Sequence, residues 1–224
     1  MAHDHAPDGA LQQHHHEHGN EHDQGLAAIW RYAKHAPRMW SSDVNDAVVK
    51  ALSPTANEHV ADIGAGVGAA ASQTAHRAGR VFAIEPTPYM RRILSARARM
   101  SRRPYIVVDG SAEDTGLSDD SVHVIMAVNS MHHWTDMDAA IIELGRILRP
   151  NGRMLLVDEN FEDPSHPDHK RWTAMHDESG HSHRFHMVDT DAIAAKLEAA
   201  GMPVRFHGEQ AVAGRPAWMI DVRQ

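Results

Sequence analysis

Apolar and polar positions along the central part of the chain alternate between a strand period and a helical period. Short apolar runs bounded by turn residues predict strands. The intervening stretches carry apolar residues at helical spacing. The predicted strands are 59–63, 80–84, 104–108, 122–128 and 152–157, and the predicted helices run from a glycine turn to 78, over 86–100 and over 137–148. Strands that alternate with helices indicate a doubly wound α/β domain whose parallel sheet is covered on both faces.

The two flanks of this region add helices first and strands last. A helix is expected from Leu26 to just before Pro37 and another over 42–52, so that 25–54 form an N-terminal helical cap. A helix capped by Asp189 or Thr190 precedes two strands, 204–207 and 217–222, joined by a turn at 214–216. These two strands predict a C-terminal antiparallel hairpin. The expected sheet is therefore seven-stranded and mostly parallel.

Two segments lack any regular apolar period. Residues 1–24 are rich in histidine and almost free of apolar residues, so we expect a flexible tail. Residues 160–187 are rich in proline, histidine and aspartate, which predicts an insertion or lid within a domain spanning 55–224. Histidine is unusually frequent: the chain holds 20, of which seven lie in 1–22 and six between His166 and His186.

Charge and composition narrow the function classes. The formal net charge of −8 argues against nucleic acid as a partner. The absence of cysteine excludes disulfides, thiolate nucleophiles and cysteine-ligated zinc. No apolar stretch approaches the roughly 18 residues that would span a bilayer, and the N-terminus lacks a basic-then-apolar secretory pattern. We therefore expect a cytoplasmic protein with no membrane partner.

The most informative segment is the turn that follows the first predicted strand. It reads Asp62-x-Gly64-Ala65-Gly66-x-Gly68 and leads into a helix. Glycines there allow a sharp turn and let a ligand reach the backbone. A phosphate-binding P-loop would need Gly-Lys-Ser/Thr, and the dinucleotide fingerprint has the spacing G-x-G-x-x-G, so neither matches. The run resembles motif I of the class I S-adenosylmethionine-dependent methyltransferases.

Later residues agree with that resemblance over about 55–222. It implies S-adenosylmethionine as cofactor, with an acid after the second strand, Glu85, holding both ribose hydroxyls, and the stretch from Asp109 to Glu113 framing the adenine. Ser111 stands where many members carry aspartate, so the adenine contact is left to Asp109 or to the backbone. The cofactor-binding residues expected from the resemblance are Asp62, Gly64, Ala65, Gly66, Gly68, Glu85, Pro86, Asp109, Ser111, Ala112, Glu113 and Asn129.

Candidate catalytic groups follow the fourth and fifth strands. His132 and His133 come just after the fourth strand, at the carboxyl edge where such sheets bind ligands. Histidine titrates near neutral pH and suits a general base, although either ring could instead cap or pack the turn. Glu159 closes the fifth strand at the same edge and is a further catalytic candidate.

A metal site is a further prediction. Asp158 and Glu159, together with His176 and His181 of the insertion, could hold a divalent ion such as Mg²⁺ that polarises an acceptor hydroxyl. Imidazoles would favour Zn²⁺ or Ni²⁺ instead. The plainer alternative is a solvated polar lid.

The polar composition of the insertion favours a small, polar, hydroxylated acceptor, so the expected reaction is O-methylation of a sugar or secondary metabolite. The alternatives are C- or N-methylation of an aromatic, quinone or amine acceptor, and a metal-binding relative without catalysis. The only expected partner is the small-molecule acceptor, and a homodimer is left open.

Overall fold

The computed structural model describes residues 43–179 and 188–223, without the side chains of 175–179. The expected tail, the first cap helix and residues 180–187 of the expected lid lie outside the described residues, so those predictions stay predictions. The second predicted cap helix is present, as α1 (Asp43–Leu52).

The described residues form one seven-stranded sheet, as predicted, in the order β3-β2-β1-β4-β5-β7-β6. Neighbouring strands from β3 to β5 are parallel, whereas β7 runs antiparallel to both β5 and β6. The strands are β1 (His59–Ile63), β2 (Arg80–Ile84), β3 (Ile106–Val108), β4 (Val122–Val128), β5 (Leu148–Glu159), β6 (Val204–Val212) and β7 (Arg215–Arg223).

Helices cover both faces of the sheet. The other described helices are α2 (Ala69–Thr74), α3 (Pro88–Met100), α4 (Met137–Ile147), α5 (His169–Ser179) and α6 (Thr190–Ala199). One apolar layer packs α1, α2 and α3 against residues such as Val60 and Leu155, and the other packs α4 and α6 against Ile63 and Leu156. Successive strand residues thus point to opposite layers, which is why the apolar runs are continuous. No described helix combines the length and hydrophobicity that a membrane crossing requires.

Several element boundaries differ from the sequence predictions. α3 begins at Pro88 rather than at residue 86, with Thr87 as N-cap, because proline fits the first helical turn without an N–H to donate. α2 ends at Thr74 instead of 78, and its last turn loosens before Gly79. β5 runs from Leu148 to Glu159 instead of 152–157, so Asp158 and Glu159 are its last two residues.

The C-terminal hairpin is longer than predicted. Its turn is formed by Ala213 and Gly214, with φ of 53° and 75°, and not by residues 214–216. Two consecutive positive φ angles define a type I′ turn, whose twist matches that of paired strands. Pro216 therefore lies inside β7, beyond the last pairing with β5, where its missing N–H costs no bond to that strand.

Candidate active site

The carboxyl ends of β1, β2, β4 and β5 meet at one edge of the sheet. In the sheet, β2 and β3 lie on one side of β1, whereas β4 and β5 lie on its other side. Ligands of doubly wound folds bind outside the carboxyl edge at such a reversal of strand order. The loops after these four strands contain most of the residues that the sequence singled out.

The turn after β1 depends on glycine for its backbone shape. Gly64, Gly66 and Gly68 have φ of 69°, 54° and 83°, the left-handed region that other residues enter only at a cost. Two of these glycines also lack room for a side chain. A Cβ on Gly64 would lie 2.6 Å from Cβ of Ser130, and one on Gly68 would lie 2.6 Å from the hydroxyl oxygen of Tyr105. The turn is thus packed against neighbouring loops as well as bent.

Asp62 lies buried at the end of β1, with 2% of its surface exposed. Its Oδ2 atom has no hydrogen-bond partner among the described residues. Burial, opposed by a backbone hydrogen bond from Ala71 and reinforced by the negative charge of Glu85, raises the pKa of Asp62 to about 7. A buried carboxylate oxygen of this kind is suited to a cationic or hydrogen-bond-donating group of a ligand.

Glu85, at the end of β2, is also buried and is held by two backbone groups. Oε2 accepts the N–H of Gly66 at 2.8 Å, and Oε1 accepts the N–H of Thr87 at 2.8 Å. A carboxylate offers about four acceptor positions, so both oxygens keep capacity for further donors. The acid is therefore fixed beside the glycine turn in a position to accept two hydroxyl groups.

The loop after β3 is tied to the loop after β2 through Arg91. This guanidinium donates to the backbone oxygen of Glu85 at 2.9 Å and to Oδ2 of Asp109 at 2.8 Å. Ser111 turns its hydroxyl inward, where Oγ accepts the backbone N–H groups of Glu113 and Asp114. Ala112 is buried in the core. Ser111 thus shapes the loop, a role that its hydroxyl shares with aspartate at turns.

Glu113 reaches away from this loop to the start of α4. Its Oε1 accepts the backbone N–H groups of Thr135 at 2.7 Å and Asp136 at 3.2 Å. Burial acts to raise the pKa of Glu113, but hydrogen bonds from Ser111, Thr135 and Asp136 outweigh burial and lower it. The carboxylate connects the loops after β3 and β4.

After β4 the chain forms one 3₁₀ turn, Met131–His133, whose donors converge on Asp158. Oδ1 of Asp158 accepts the N–H groups of Ser130 at 2.9 Å and Met131 at 3.3 Å. Oδ2 accepts the backbone N–H of His132 at 3.0 Å and lies 2.8 Å from its Nδ1. Because a carboxylate oxygen accepts hydrogen bonds, Nδ1 of His132 is assigned as the donor to Oδ2 of Asp158. The ring of His133 lies 3.9 Å from that of His132, centroid to centroid.

Asn129 and Glu159 join the ends of β4 and β5 reciprocally. Nδ2 of Asn129 donates to Oε1 of Glu159 at 2.8 Å, and the backbone N–H of Glu159 donates to Oδ1 of Asn129 at 2.7 Å. Asn129 has φ of 53°, a conformation that asparagine tolerates better than most residues. The side chain of Asn129 thus extends the contact between the two strands beyond their ladder.

Comparisons with known proteins agree with this geometry. The family model described as "Methyltransferase domain" matches residues 61–156. An uncharacterized methyltransferase of Mycobacterium bovis is 36% identical over 106 residues, 47% of this chain and 42% of the relative. The ubiquinone/menaquinone biosynthesis C-methyltransferase UbiE of Rubrivivax gelatinosus is 30% identical over 110 residues, 49% of this chain and 43% of the relative. The chain thus spans less than half the length of these two curated relatives.

Solved structures support the same fold. An S-adenosylmethionine-dependent methyltransferase from Aquifex aeolicus superposes with a TM-score of 0.57, over 80% of this chain and 88% of that one, at 16% identity. Residues 61–156 therefore match a methyltransferase domain, and the described residues have the fold of S-adenosylmethionine-dependent methyltransferases. The residues of the site fit S-adenosylmethionine, since Asp62 offers a buried oxygen for a cationic group and Glu85 offers a fixed carboxylate for hydroxyls.

Two of the expected metal ligands, Asp158 and Glu159, are engaged with other groups. Asp158 accepts four hydrogen bonds from the turn after β4. Glu159 is in hydrogen-bond contact with the side chains of Asn129, His166 and Arg215. The side chain of His176 and the whole of His181 lie outside the described residues. Residues 43–179 and 188–223 contain no group of three or more histidines and acids arranged to hold a metal ion.

Sequence reasoning missed a buried network around Glu159. Nε2 of His166 lies 3.0 Å from Oε2 of Glu159, and Nδ1 of His166 accepts the N–H of Asp168 at 3.1 Å, which fixes the Nε2–H tautomer. Arg215, at the start of β7, bridges Glu159 and Asp168 at 3.2 Å each. In the sequence, His166 is one of many histidines in the insertion, and Arg215 belongs to the predicted turn at 214–216. Nothing in their spacing signals that β7 returns to this edge.

A second missed network anchors the loop between β3 and β4. Oε1 of Glu143, on α4, accepts the backbone N–H and the hydroxyl of Thr115, at 2.9 Å and 2.5 Å. Arg146 binds the same carboxylate and donates to the backbone oxygen of Leu117. The pairing with Arg146 is the main reason that the pKa of Glu143 falls to about 2, and Thr115 adds to it. The network holds the loop that frames the expected adenine side.

Proposed function

We propose that this protein O-methylates a small, polar, hydroxylated metabolite, with His132 as the general base. The observation that carries the proposal is the contact between Nδ1 of His132 and Oδ2 of Asp158, 2.8 Å long and buried beside the glycine turn. An unactivated hydroxyl must lose its proton as it attacks a methyl carbon, and a histidine oriented by a carboxylate is a common device for taking that proton.

Four residues have distinct proposed roles. S-adenosylmethionine, when bound, would supply an electrophilic methyl carbon, with a neutral thioether as the leaving group. Asp62 and Glu85 would bind its polar groups beside the turn after β1. Asp158 acts as a positioning residue, since it holds Nδ1 of His132 and orients Nε2 toward the acceptor hydroxyl. Nε2 would take the hydroxyl proton as the acceptor oxygen attacks the methyl carbon.

The segment after β5 supports a polar acceptor. Residues 160–170 include Glu162, Asp163, Asp168 and Lys170. The buried His166 and the partly exposed Arg215 connect this segment to the carboxyl edge. A pocket for an apolar quinone would be expected to present more apolar side chains.

C-methylation of an aromatic acceptor is the second candidate. It is favoured by the sequence similarity to the quinone-pathway C-methyltransferase and by Phe161, whose ring lies 4.6 Å from that of His166 and could be joined by a stacked acceptor. Metal assistance is the remaining variant, in which Asp158 and Glu159 with His176 and His181 would hold a divalent ion.

The test uses S-adenosylmethionine labelled on its methyl group and three acceptor sets: sugars and other polyols, quinols, and amines. Products one methyl heavier are sought by mass spectrometry with and without EDTA. We expect turnover of hydroxylated polar acceptors that EDTA leaves unchanged. Turnover of quinols alone would replace the proposal with C-methylation, and loss of turnover in EDTA would support the metal-assisted variant.

Two histidine variants then test the base. We expect His132→Gln to lower kcat by about 10²- to 10⁴-fold. His133→Gln, which changes the ring next to that of His132, is the matched control and should lower kcat far less. Affinity for S-adenosylhomocysteine, measured by calorimetry, should stay within about twofold in both variants, since neither ring is placed in the cofactor site. Equal activity of His132→Gln and the parent protein would exclude His132 as the base.

A further inference from the structure

A strongly basic stretch stands out in this acidic chain. Residues 88–108, which comprise α3 and β3 with their connection, contain six arginines and no aspartate or glutamate, whereas the whole chain has a net charge of −8. Two of the six arginines have structural roles. Arg91 pairs with Asp109, and Arg97 donates to the backbone oxygen of Val67. The net charge therefore conceals a local excess of positive charge.

The other four arginines lie on the surface. Arg92, Arg99, Arg102 and Arg103 are exposed, and within the described ranges none of them forms an ion pair. Arg92 and Arg99 are seven residues apart, which places them two turns apart on one side of α3. Arg102 and Arg103 follow the end of the helix at once, in a turn closed by the hydroxyl of Ser101, which donates to the backbone oxygen of Arg103.

One exposed apolar side chain accompanies these charges. Met100, the last residue of α3, is 86% exposed. Two other large apolar side chains are exposed elsewhere: Ile106 pairs with Phe82 and faces the side of the sheet opposite α3, and Ile142 lies on α4. We call the set formed by Arg92, Arg99, Met100, Arg102 and Arg103 the arginine surface. It combines unpaired guanidinium groups with the apolar side chain of Met100 on α3 and the turn that follows it.

We infer that the arginine surface binds an anionic lipid membrane peripherally. Guanidinium groups bind lipid phosphates bidentately while their stems lie along apolar surface. An apolar side chain beside them can enter the boundary between headgroups and acyl chains, as in interfacial basic helices. A nucleic acid would use the same charges, but Met100 would then remain exposed to water. No aromatic ring of this surface is available to stack on bases.

The position of the surface suits such contact. α3 leaves the carboxyl edge of the sheet beside Glu85 and ends about 20 Å away at Met100. The arginine surface therefore lies on the flank of the domain and leaves the carboxyl edge open. Membrane contact and cofactor binding are then independent, and loss of one would not entail loss of the other.

The test is sedimentation of the full chain with vesicles. We expect binding to vesicles that contain about 30% phosphatidylglycerol in phosphatidylcholine, no binding to phosphatidylcholine alone, and release as salt rises from about 50 mM to about 500 mM. The triple variant Arg99→Gln, Arg102→Gln, Arg103→Gln should bind on the order of 100-fold more weakly, since each basic residue near a charged membrane contributes about fivefold. Met100→Ser should weaken binding by several fold.

A second triple variant controls for total charge. Lys50→Gln, Lys170→Gln, Arg205→Gln removes three exposed positive charges from other parts of the surface and should bind like the parent protein. Circular dichroism and affinity for S-adenosylhomocysteine check that every variant folds. Equal weakening by both triple variants would overturn the inference, as would equal binding to phosphatidylcholine alone. Binding to RNA or DNA oligonucleotides without vesicle binding would replace the membrane with a nucleic acid.

Discussion

The backbone of Gly64 passes so close to Ser130 that a Cβ on Gly64 would lie 2.6 Å from the Cβ of Ser130. In return, the hydroxyl of Ser130 donates to the backbone oxygen of Ile63 at 2.9 Å. The loops after β1 and β4 are therefore packed directly on one another. The first glycine of the turn has a steric role in addition to its conformational one.

Gly64→Ala should destabilise the fold by about 2–5 kcal/mol, since a left-handed backbone and a steric clash both oppose the new methyl group. Gly116→Ala is the matched control. Its φ of 67° is nearly the same as the 69° of Gly64, but its Cβ would have 3.8 Å to the nearest atom. Gly116→Ala should therefore cost only about 1–2 kcal/mol. Chemical denaturation measures both, and equal losses would show that packing against Ser130 is unimportant.

Asp62 should make stability depend on pH near neutrality. Its folded-state pKa of about 7 lies above the ordinary value of 3.8. Asp62 therefore contributes stability that is fully present below pH 3.8 and is lost as pH rises through 7. We expect Asp62→Asn to remove this part of the decline. Unfolding free energies of both proteins across that pH range test it, and parallel curves would contradict it.

Cofactor binding should release a proton from the same group. A cationic ammonium placed against Oδ2 favours the ionised form of Asp62, so the pKa falls on binding. With a starting pKa of about 7, we expect on the order of half a proton to leave at neutral pH. Calorimetry of S-adenosylhomocysteine in two buffers of different ionisation enthalpy counts these protons. Asp62→Asn should release none.

Glu143 and Glu58 form a matched pair for separating stability from cofactor affinity. The pKa of each falls to about 2, mainly through Arg146 and Arg153 respectively, so each contributes stability that is present above pH 4.5 and lost as pH falls through 2. Glu143→Gln and Glu58→Gln should each cost about 1–3 kcal/mol at pH 7.

The two variants should differ in their effect on cofactor affinity. Glu143 holds Thr115 in the loop on the adenine side, whereas Glu58 precedes β1 at the opposite edge. Glu143→Gln should therefore weaken S-adenosylhomocysteine binding several fold, and Glu58→Gln should leave it unchanged. Equal affinities of the two variants in calorimetry would show that the hydrogen bonds between Glu143 and Thr115 do not influence the cofactor site.

The hairpin turn offers a stabilising change. Ala213 adopts φ of 53°, which is strained for alanine, and Gly214 follows it in a type I′ turn. Asn-Gly is the preferred pair for this turn. Ala213→Asn should raise stability by about 0.5–1 kcal/mol and Tm by roughly 2–4 °C. A thermal melt decides it, and an unchanged or lower Tm would contradict the turn assignment.

The sequence predicted the sheet, its hairpin and the glycine turn because these features depend on local periodicity and on turn chemistry. It also predicted that His132, His133, Asp158 and Glu159 lie at one edge, since the carboxyl ends of parallel strands converge. The pairing of those groups could not be predicted. Whether Asp158 serves a metal or the donors of a 3₁₀ turn depends on side-chain directions set by tertiary packing.

Long-range partners were the least predictable features. Thr115 and Glu143 are 28 residues apart, and Arg215 and Glu159 are 56 residues apart. No periodic pattern relates residues at such distances. The basic stretch 88–108 is visible in the sequence, but the total charge of −8 does not reveal it. Burial, which separates paired from exposed arginines, had to come from the fold.

Glu159 receives donors from three parts of the chain that are remote in sequence: Asn129 after β4, His166 after β5, and Arg215 at the start of β7. We therefore expect that these three segments can be exchanged only together. A graft of the post-β5 segment from a relative with another acceptor should keep its host fold only when Asn129, His166 and Arg215 are matched to it. Acceptor choice in this scaffold would then diversify through coordinated changes at three loops, and seldom through a single loop alone.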